Sequence, residues 1–235
     1  MENIIMSFSW LFVYVKMKYI VISFLWVLYF ILHSTMITLK FKGAVRKRIG
    51  NYFKFYRLFY NIIATVLFIP LIIYSASIAE SNILIWDGNL KIIKWIIKGI
   101  GVYLVIAGFS HWNMSNILGI QQIKMGITGL FMNASTKLDS SGILGKIRHP
   151  VYAGTILLIW TDDMDITRII ITSLVTLYFF FGAIIEERKR LIEFNGEYSL
   201  YREKVSMLFP GKYIVNQLLS LRNKIFETCR NGGQS

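Results

Sequence analysis

The sequence predicts an all-α integral membrane protein with about five transmembrane helices and a C-terminal helical hairpin. Three observations lead there. Of 235 residues 55% are hydrophobic and the mean hydropathy is +0.53, where a soluble domain holds roughly 45–50% apolar residues. The apolar residues are gathered into long runs. Charges stand between the runs, and basic connections alternate with acidic ones.

Met1 to Val15 is apolar, but Lys16 and Lys18 cut it off before it is long enough to span alone. No small-residue cleavage site follows it, which argues against a cleaved signal peptide. Tyr19 to Leu39 is the first span; as a helix it covers roughly 31 Å. Phe55 to Ser77 is the second, with Pro70 expected to kink it. Trp95 to Trp112 is the third, entered through Lys91, Lys94 and Lys98. Val151 to Trp160 is a fourth apolar segment of only about 15 Å as a helix. It either starts before Val151 or dips in and returns as half of a hairpin. The polar run Thr161 to Asp165 separates it from the fifth, Ile166 to Ile185. The tail from Lys212 to Arg230 places Ile214, Val215, Leu218, Leu219, Leu221 and Ile225 at helical spacing, so an interfacial amphipathic helix is expected. The organisation is therefore a three-span region over 1–112, a core over 113–210 (loop, helical hairpin, following helix) and an interfacial tail over 211–235.

The net charge is +13. Because the charges flank apolar runs, they point to lipid headgroups and not to nucleic acid. Lys40, Lys42, Arg46, Lys47 and Arg48 lie between the first two spans, and Lys124, Lys146 and Arg148 between the third and fourth. Arg188, Lys189 and Arg190 follow the fifth. Glu80, Asp87, Asp162, Asp163 and Asp165 occupy the other connections. This alternation predicts a multi-pass protein with its N-terminus outside and its C-terminus in the cytosol; Lys16, Lys18 and Lys91 run against the trend. Cys229 stands alone, so a disulfide or thiolate site within one chain is excluded. No helix carries His/Glu spacing suited to a metal, and no metal site is expected.

Two constellations carry polar chemistry. In Arg148-His149-Pro150-Val151-Tyr152-Ala153-Gly154, proline keeps His149 out of a helix and starts the next one. The chain turns there at the membrane boundary, and Gly154 permits close approach of a helix or ligand. Upstream, Asp139, Ser140, Ser141, Gly142 and Gly145 form a polar loop able to wrap a nucleoside. In the second constellation, Glu186 and Glu187 end an apolar run, where ionisable groups are costly and often functional. Adjacent carboxylates point in different directions on a helix. A plain ionic cap balanced by Arg188, Lys189 and Arg190 is the competing reading. Gly196 is expected to stop this helix, with Tyr198 and Tyr201 on one face of the next.

Gly142, Arg148-His149-Pro150-x-Tyr152-x-Gly154, Glu186-Glu187, Leu191, Gly196, Tyr198, Tyr201 and Pro210, in this order and spacing, resemble the isoprenylcysteine carboxyl methyltransferase and phospholipid methyltransferase group of membrane enzymes. The likeness covers roughly Thr136 to Pro210. Upstream, His33-Ser34, Tyr56-Arg57-Leu58-x-Tyr60-Asn61 and Leu118-Gly119-Ile120-Gln121 resemble the methanethiol S-methyltransferase and NnrU-type branch. The resemblance implies an S-adenosylmethionine-dependent methyltransferase with a cytosolic cofactor-binding segment. Its cofactor residues would be Thr136, Lys137, Leu138, Asp139, Gly142, His149, Pro150, Val151, Tyr152, Glu186 and Glu187, with His149, Arg148 and His33 as catalytic candidates. Leu144 stands where the family often has tyrosine. Prenylcysteine enzymes carry an arginine shortly before the glutamate pair, and Phe179 to Ile185 offers none. That counts against a prenylcysteine substrate and favours a small or lipophilic thiol as acceptor, with prenylcysteine carboxyl or phospholipid methylation as the alternative.

Methyl transfer from a sulfonium leaves the protein mainly positioning and control of charge. A thiol reacts as thiolate, so His33 or His111 is a candidate for the helping base. Two rival readings fit the same sequence. One is a haem carrier with His33 and His111 as axial ligands; the other is a non-catalytic membrane protein of the same fold.

Overall fold

The computed structural model describes residues 2–126, 128 and 138–232, with side chains for 17–126, 128, 138–194 and 196–222. Among the described residues the secondary structure is helical, with two isolated β-bridges. Four stretches are long and apolar enough to cross a bilayer: Met17–Ile37, Leu39–Ser77, Leu90–Phe109 and Ile166–Phe194. Pro150–Trp160 is a fifth, shorter apolar helix. The chain is a multi-pass, all-α membrane protein. Its spans leave large apolar side chains such as Val66, Ile69 and Ile106 more than half exposed, the surface that lipid covers.

Helix α1 (Glu2–Ile37) begins near the N-terminus and not at Tyr19. Lys16 and Lys18 interrupt the apolar run but not the helix, since lysine is a good helix former; Lys18 forms an ion pair with Glu80. Thr38 ends α1 and caps α2 (Leu39–Ile49), its hydroxyl accepting from the Phe41 amide at 3.3 Å. A 3-10 turn leads into α3 (Tyr56–Ser77), which runs through Pro70. Helix α4 (Leu90–Phe109) starts before Trp95 and ends before His111. Two short helices, α5 (Met114–Ile117) and α6 (Ile120–Lys124), follow. Then come α7 (Pro150–Trp160), α8 (Ile166–Lys204) and α9 (Gly211–Gly232).

Gly196 does not stop α8, which continues to Lys204. Glycine within a helix costs about 1 kcal/mol. Beyond it, Tyr198 is buried and the Tyr201 hydroxyl donates to the Leu144 carbonyl at 2.6 Å. These anchors outweigh the propensity.

The chain divides into two compact units. The first takes Met1–Trp95, Trp112–Ala134 and Ile159–Tyr178. Its core centres on Ile22, Trp26 and Leu71, with Ile171, Leu174 and Val175 packed against them. At one end of this unit, Leu84 and Met164 form a bridge. The Asp163 carboxylate there accepts from the Trp86 amide and from Lys94, and Asp165 accepts from the Glu80 amide.

The second unit takes Ile96–His111, Ser135–Leu158 and Phe179–Ser235. Leu104, Ile143, Ile147 and Ala153 form its core, and Leu144 packs against them. Helices α4 and α7 touch through glycine. A Cβ on Gly154 would meet the Gly101 carbonyl oxygen at 2.6 Å and the Val105 amide at 2.9 Å. Backbone cannot yield as a side-chain tip can, so glycine is required there.

Candidate functional site

The site in the second unit is built on the corner that opens α7. Ile147 pairs with Ser206 as an isolated parallel bridge. The Arg148 amide donates to the Ser206 carbonyl at 2.9 Å, and the His149 amide to the Met207 carbonyl at 3.0 Å. His149, which proline keeps out of a helix, and Arg148 before it therefore find their backbone bonds on the segment that follows α8. Pro150 occupies the first helical position, where its missing N–H costs nothing.

The Arg148–His149 corner and the Glu186–Glu187 stretch of α8 come together. Glu187 is 4% exposed. Its Oε1 accepts from Arg148 Nε at 2.7 Å and lies 3.3 Å from His149 Nε2; its Oε2 lies 3.2 Å from Arg202 Nε. Arg148 also donates from Nη1 to the carbonyls of Arg202 and Val205. A buried carboxylate is tolerated only when its lone pairs are used, and here three cationic or donor groups use them. An ionised carboxylate only accepts, so His149 Nε2 is the donor in this contact.

Glu186 is different. Its side chain is about one-third exposed. Its Oε1 accepts from Arg190 at 2.8 Å, and its Oε2 accepts from the Tyr152 hydroxyl at 3.2 Å and lies 3.8 Å from His149 Nδ1. Adjacent residues thus present one closed and one open carboxylate, as expected for side chains about 100° apart on a helix. Tyr152 is stacked between His149 and Phe179, with centroids 5.3 and 5.0 Å away and planes 11° and 22° apart.

The polar loop folds onto the end of α4. Asp139 Oδ2 lies 2.7 Å from His111 Nδ1, and its Oδ1 accepts the Ser141 amide at 2.9 Å and the Ser141 hydroxyl at 2.7 Å. These bonds, the Ser141 amide first, hold the Asp139 carboxyl below the usual carboxylate range. Gly142 has φ +53°, and a Cβ on it would meet His111 Nε2 at 3.3 Å. Burial pushes the Tyr201 phenol up to about 12, so it stays a hydrogen-bond donor to Leu144. A cavity of about 550 Å³ opens beside the corner, and Arg148, Arg202 and Lys212 line it together with Ser199, Glu203 and Ser206.

Of the residues singled out in the sequence, Arg148, His149, Tyr152, Glu186 and Glu187 form one connected network. Pro150 and Val151 place it, with Val151 and Pro150 packed against Gly108. Leu138 is half-buried, and Asp139 and Gly142 gather around His111. Thr136 and Lys137 lie outside the described residues. His33 belongs to the first unit. Its Nδ1 lies 2.8 Å from the Tyr178 hydroxyl, its Nε2 bonds the Tyr60 hydroxyl, and Tyr29 stacks on its ring. With both nitrogens engaged by phenols it is not poised as a haem ligand. Arg202 and Phe179 also belong to the site, and the sequence does not mark them. A surface arginine fifteen positions beyond the glutamates, and one phenylalanine among three, carry no distinguishing pattern.

The fold and this corner together define a class: multi-pass helical membrane proteins with a buried arginine–histidine–glutamate corner at the mouth of a short helix. The NnrU protein family matches residues 21–188, well over half of the sequence, and the chain belongs to that family. It is similar to methanethiol S-methyltransferase 1 of Bradyrhizobium diazoefficiens, 28% identical over 145 residues, which is 55% of this chain and 50% of that protein. It is also similar to methanethiol S-methyltransferase of Crocosphaera subtropica, 28% identical over 134 residues, 55% of this chain and 52% of that protein. The chain thus spans about half the length of the curated relatives it matches. No solved structure matches it.

Proposed function

We propose that this protein is an integral-membrane methyltransferase that uses S-adenosylmethionine to methylate a small or lipophilic thiol. The observation that carries the proposal is the meeting of the Arg148–Tyr152 corner with Glu186 and Glu187. The names of the relatives supply the acceptor class.

The residues fit such a cofactor. It carries an ammonium, a carboxylate and a ribose diol beside a nucleobase. Glu186 offers a partly open carboxylate for the ammonium, and Asp139 is about half exposed for ribose hydroxyls. Gly142 keeps the space over His111 free of a side chain. When bound, the cofactor supplies the activated methyl group and its leaving group. The chain's own work is positioning. Glu187 fixes Arg148 and His149 through charge-assisted bonds, His149 holds its Nε2 proton toward Glu187, and Tyr152 is clamped between two rings. Pro150 and Val151 set the corner's direction. Within the first unit, His33 is the candidate proton acceptor, and because Tyr60 and Tyr178 engage both its nitrogens a proton reaches it only by way of one of those hydroxyls. The lipid bilayer is the protein's environment and the acceptor's route in. The alternating loop charges put the N-terminus outside and the C-terminus in the cytosol. On this reading residues 113–210 are the methyltransferase core and 211–235 an interfacial tail.

The test is binding of radiolabelled S-adenosylmethionine to the purified protein, followed by product analysis with a panel of thiols, phospholipids and prenylcysteines. Methylated thiol is the expected product. His149→Ala and Glu187→Ala are expected to abolish cofactor binding while the protein still inserts. Unchanged affinity in both variants would remove the site assignment, and methylation of lipid alone would remove the thiol.

A further inference from the structure

The cavity walled by Arg148, Arg202 and Lys212 shares Arg148 and Arg202 with the methyl-transfer corner but opens away from Glu187 with a chemistry of its own. Two of its cations are fixed by one peptide carbonyl. The Arg202 oxygen accepts from Arg148 Nη1 at 3.2 Å and from Lys212 Nζ at 2.8 Å, and Lys212 also donates to the Glu203 oxygen at 2.9 Å. The end of α8 thus holds a guanidinium and an ammonium at a set spacing, with the rotamer entropy of both already spent. Glu187 meets Arg148 and Arg202 through their Nε groups, at 2.7 and 3.2 Å. Among the described residues no hydrogen bond uses Arg148 Nη2 or the terminal nitrogens of Arg202. Ser199 and Ser206 stand on the same wall, the Ser206 hydroxyl accepting the Lys212 amide at 3.0 Å, and Glu203 adds a carboxylate. Planar, forked donors with hydroxyls beside them match a phosphate, and one carboxylate nearby matches a polyol hydroxyl.

What adjoins the cavity selects the source of that phosphate. Lys212 opens α9, and within two turns the helix exposes Ile214, Val215, Leu218 and Leu219; Phe209, just before it, is 71% exposed. The sequence of α9 adds Arg222, Lys224 and Arg230 against Glu227 alone. An apolar face with basic flanks beside a cationic cavity is complementary to an anionic leaflet. Lys146 over the Tyr213 ring, 5.1 Å from its centroid, ties the first turn of α9 to the loop before Arg148. We propose that this cavity binds the phosphate headgroup of an anionic glycerophospholipid, with α9 lying on the same leaflet. The proposal stands independently of the methyltransferase reading.

The experiment is native mass spectrometry of the full-length protein, purified in uncharged detergent, with phosphatidylglycerol and phosphatidylcholine of identical chains. Phosphatidylglycerol is expected to be retained preferentially. Ser199→Asp and Lys212→Gln are each expected to weaken its retention about fivefold, the effect of one basic contact at a lipid surface. Both variants are checked for an unchanged melting temperature, and among the described residues the Ser199 side chain makes no hydrogen bond that its replacement would break. Equal retention of the two lipids, or wild-type retention in both folded variants, would overturn the proposal. Displacement of the lipid by millimolar inorganic phosphate would assign the cavity to a soluble anion. Displacement by S-adenosylmethionine would assign it to the cofactor. Either displacement overturns the lipid assignment and leaves the methyltransferase reading to its own test.

Discussion

Replacing Glu187 by glutamine separates what holds the corner from what faces a ligand. The substitution keeps the size and one acceptor oxygen but removes the charge. Arg148 and His149, both under one-tenth exposed, then face a neutral amide. Removing one member of a buried ion pair outright costs about 3–5 kcal/mol. Here the loss is smaller. Arg148 keeps its bonds to the Arg202 and Val205 carbonyls, and Arg202, 44% exposed, regains water. What remains is one charge-assisted bond made neutral and one weakened contact to His149, about 2–3 kcal/mol in sum. At about 1.4 kcal/mol per decade this makes local opening of the corner roughly 30–150-fold more frequent.

Glu186→Gln is the control. Glu186 and Arg190 are each at least one-third exposed, and such a pair contributes about 0–1 kcal/mol. Hydrogen exchange of the Arg148 and His149 amides in detergent, read with cofactor binding, distinguishes the two. Glu187→Gln is expected to lower both amide protection and binding; Glu186→Gln is expected to lower binding alone. Unchanged protection at Arg148 and His149 in Glu187→Gln would refute the assignment of Glu187 as the group that holds the corner.

Three further outcomes follow from other contacts. Gly154→Ala forces a methyl onto the Gly101 carbonyl and the Val105 amide; a loss of about 1–3 kcal/mol is expected, read as a lowered melting temperature of the purified protein. Tyr201→Phe removes the bond to the Leu144 carbonyl and should cost about 0.5–1.5 kcal/mol, again visible in thermal melts. The Asp139 carboxyl is held below its ordinary range, so its contribution is complete above the unfolded carboxylate pKa and is lost as pH falls through the folded value. Acidification below the ordinary carboxylate range should loosen the 138–142 loop, measured as faster Ser141 amide exchange, and Asp139→Asn should abolish that pH dependence.

The parts of the fold that lipid dictates were legible in the sequence. A bilayer span needs a long apolar run, and such runs survive inspection without knowledge of neighbours; α3, α4 and the first part of α8 begin or end within about five residues of the expected bounds. The Arg148–His149–Pro150 corner was legible because proline constrains its own backbone and that of its neighbour. The continuation of α8 past Gly196 was not, because it depends on burial of Tyr198 and on the Tyr201 bond to Leu144, which are tertiary facts. The division of labour between Glu186 and Glu187 was hidden for the same reason. Two identical letters become one closed and one open carboxylate only when Arg148 and Arg202 arrive beside the second.

The short fourth segment has a physical solution that also explains the acidic run after it. Trp160, the last residue of α7, donates its indole N–H to Thr176 at 2.9 Å. Thr176 lies ten residues into α8, so about 15 Å of that helix remains before its start at Ile166. Residues 161–165 make this return with a turn at 161 and a bend at 162, followed by an extended stretch around Met164. Extended backbone beside a membrane helix exposes amides and carbonyls that apolar surroundings cannot satisfy. The chain meets this demand with a second extended segment. The Met164 amide donates to the Leu84 carbonyl at 2.9 Å, and the amides of Ile83 and Leu84 donate to the Met164 carbonyl at 2.8 and 3.0 Å. Asp163 and Asp165 take the Trp86 and Glu80 amides, and Asp165 also caps α8 through the Arg168 amide at 2.7 Å. The aspartates therefore have a structural role: they satisfy backbone amides around the turn that follows a half-length helix, and one of them caps α8.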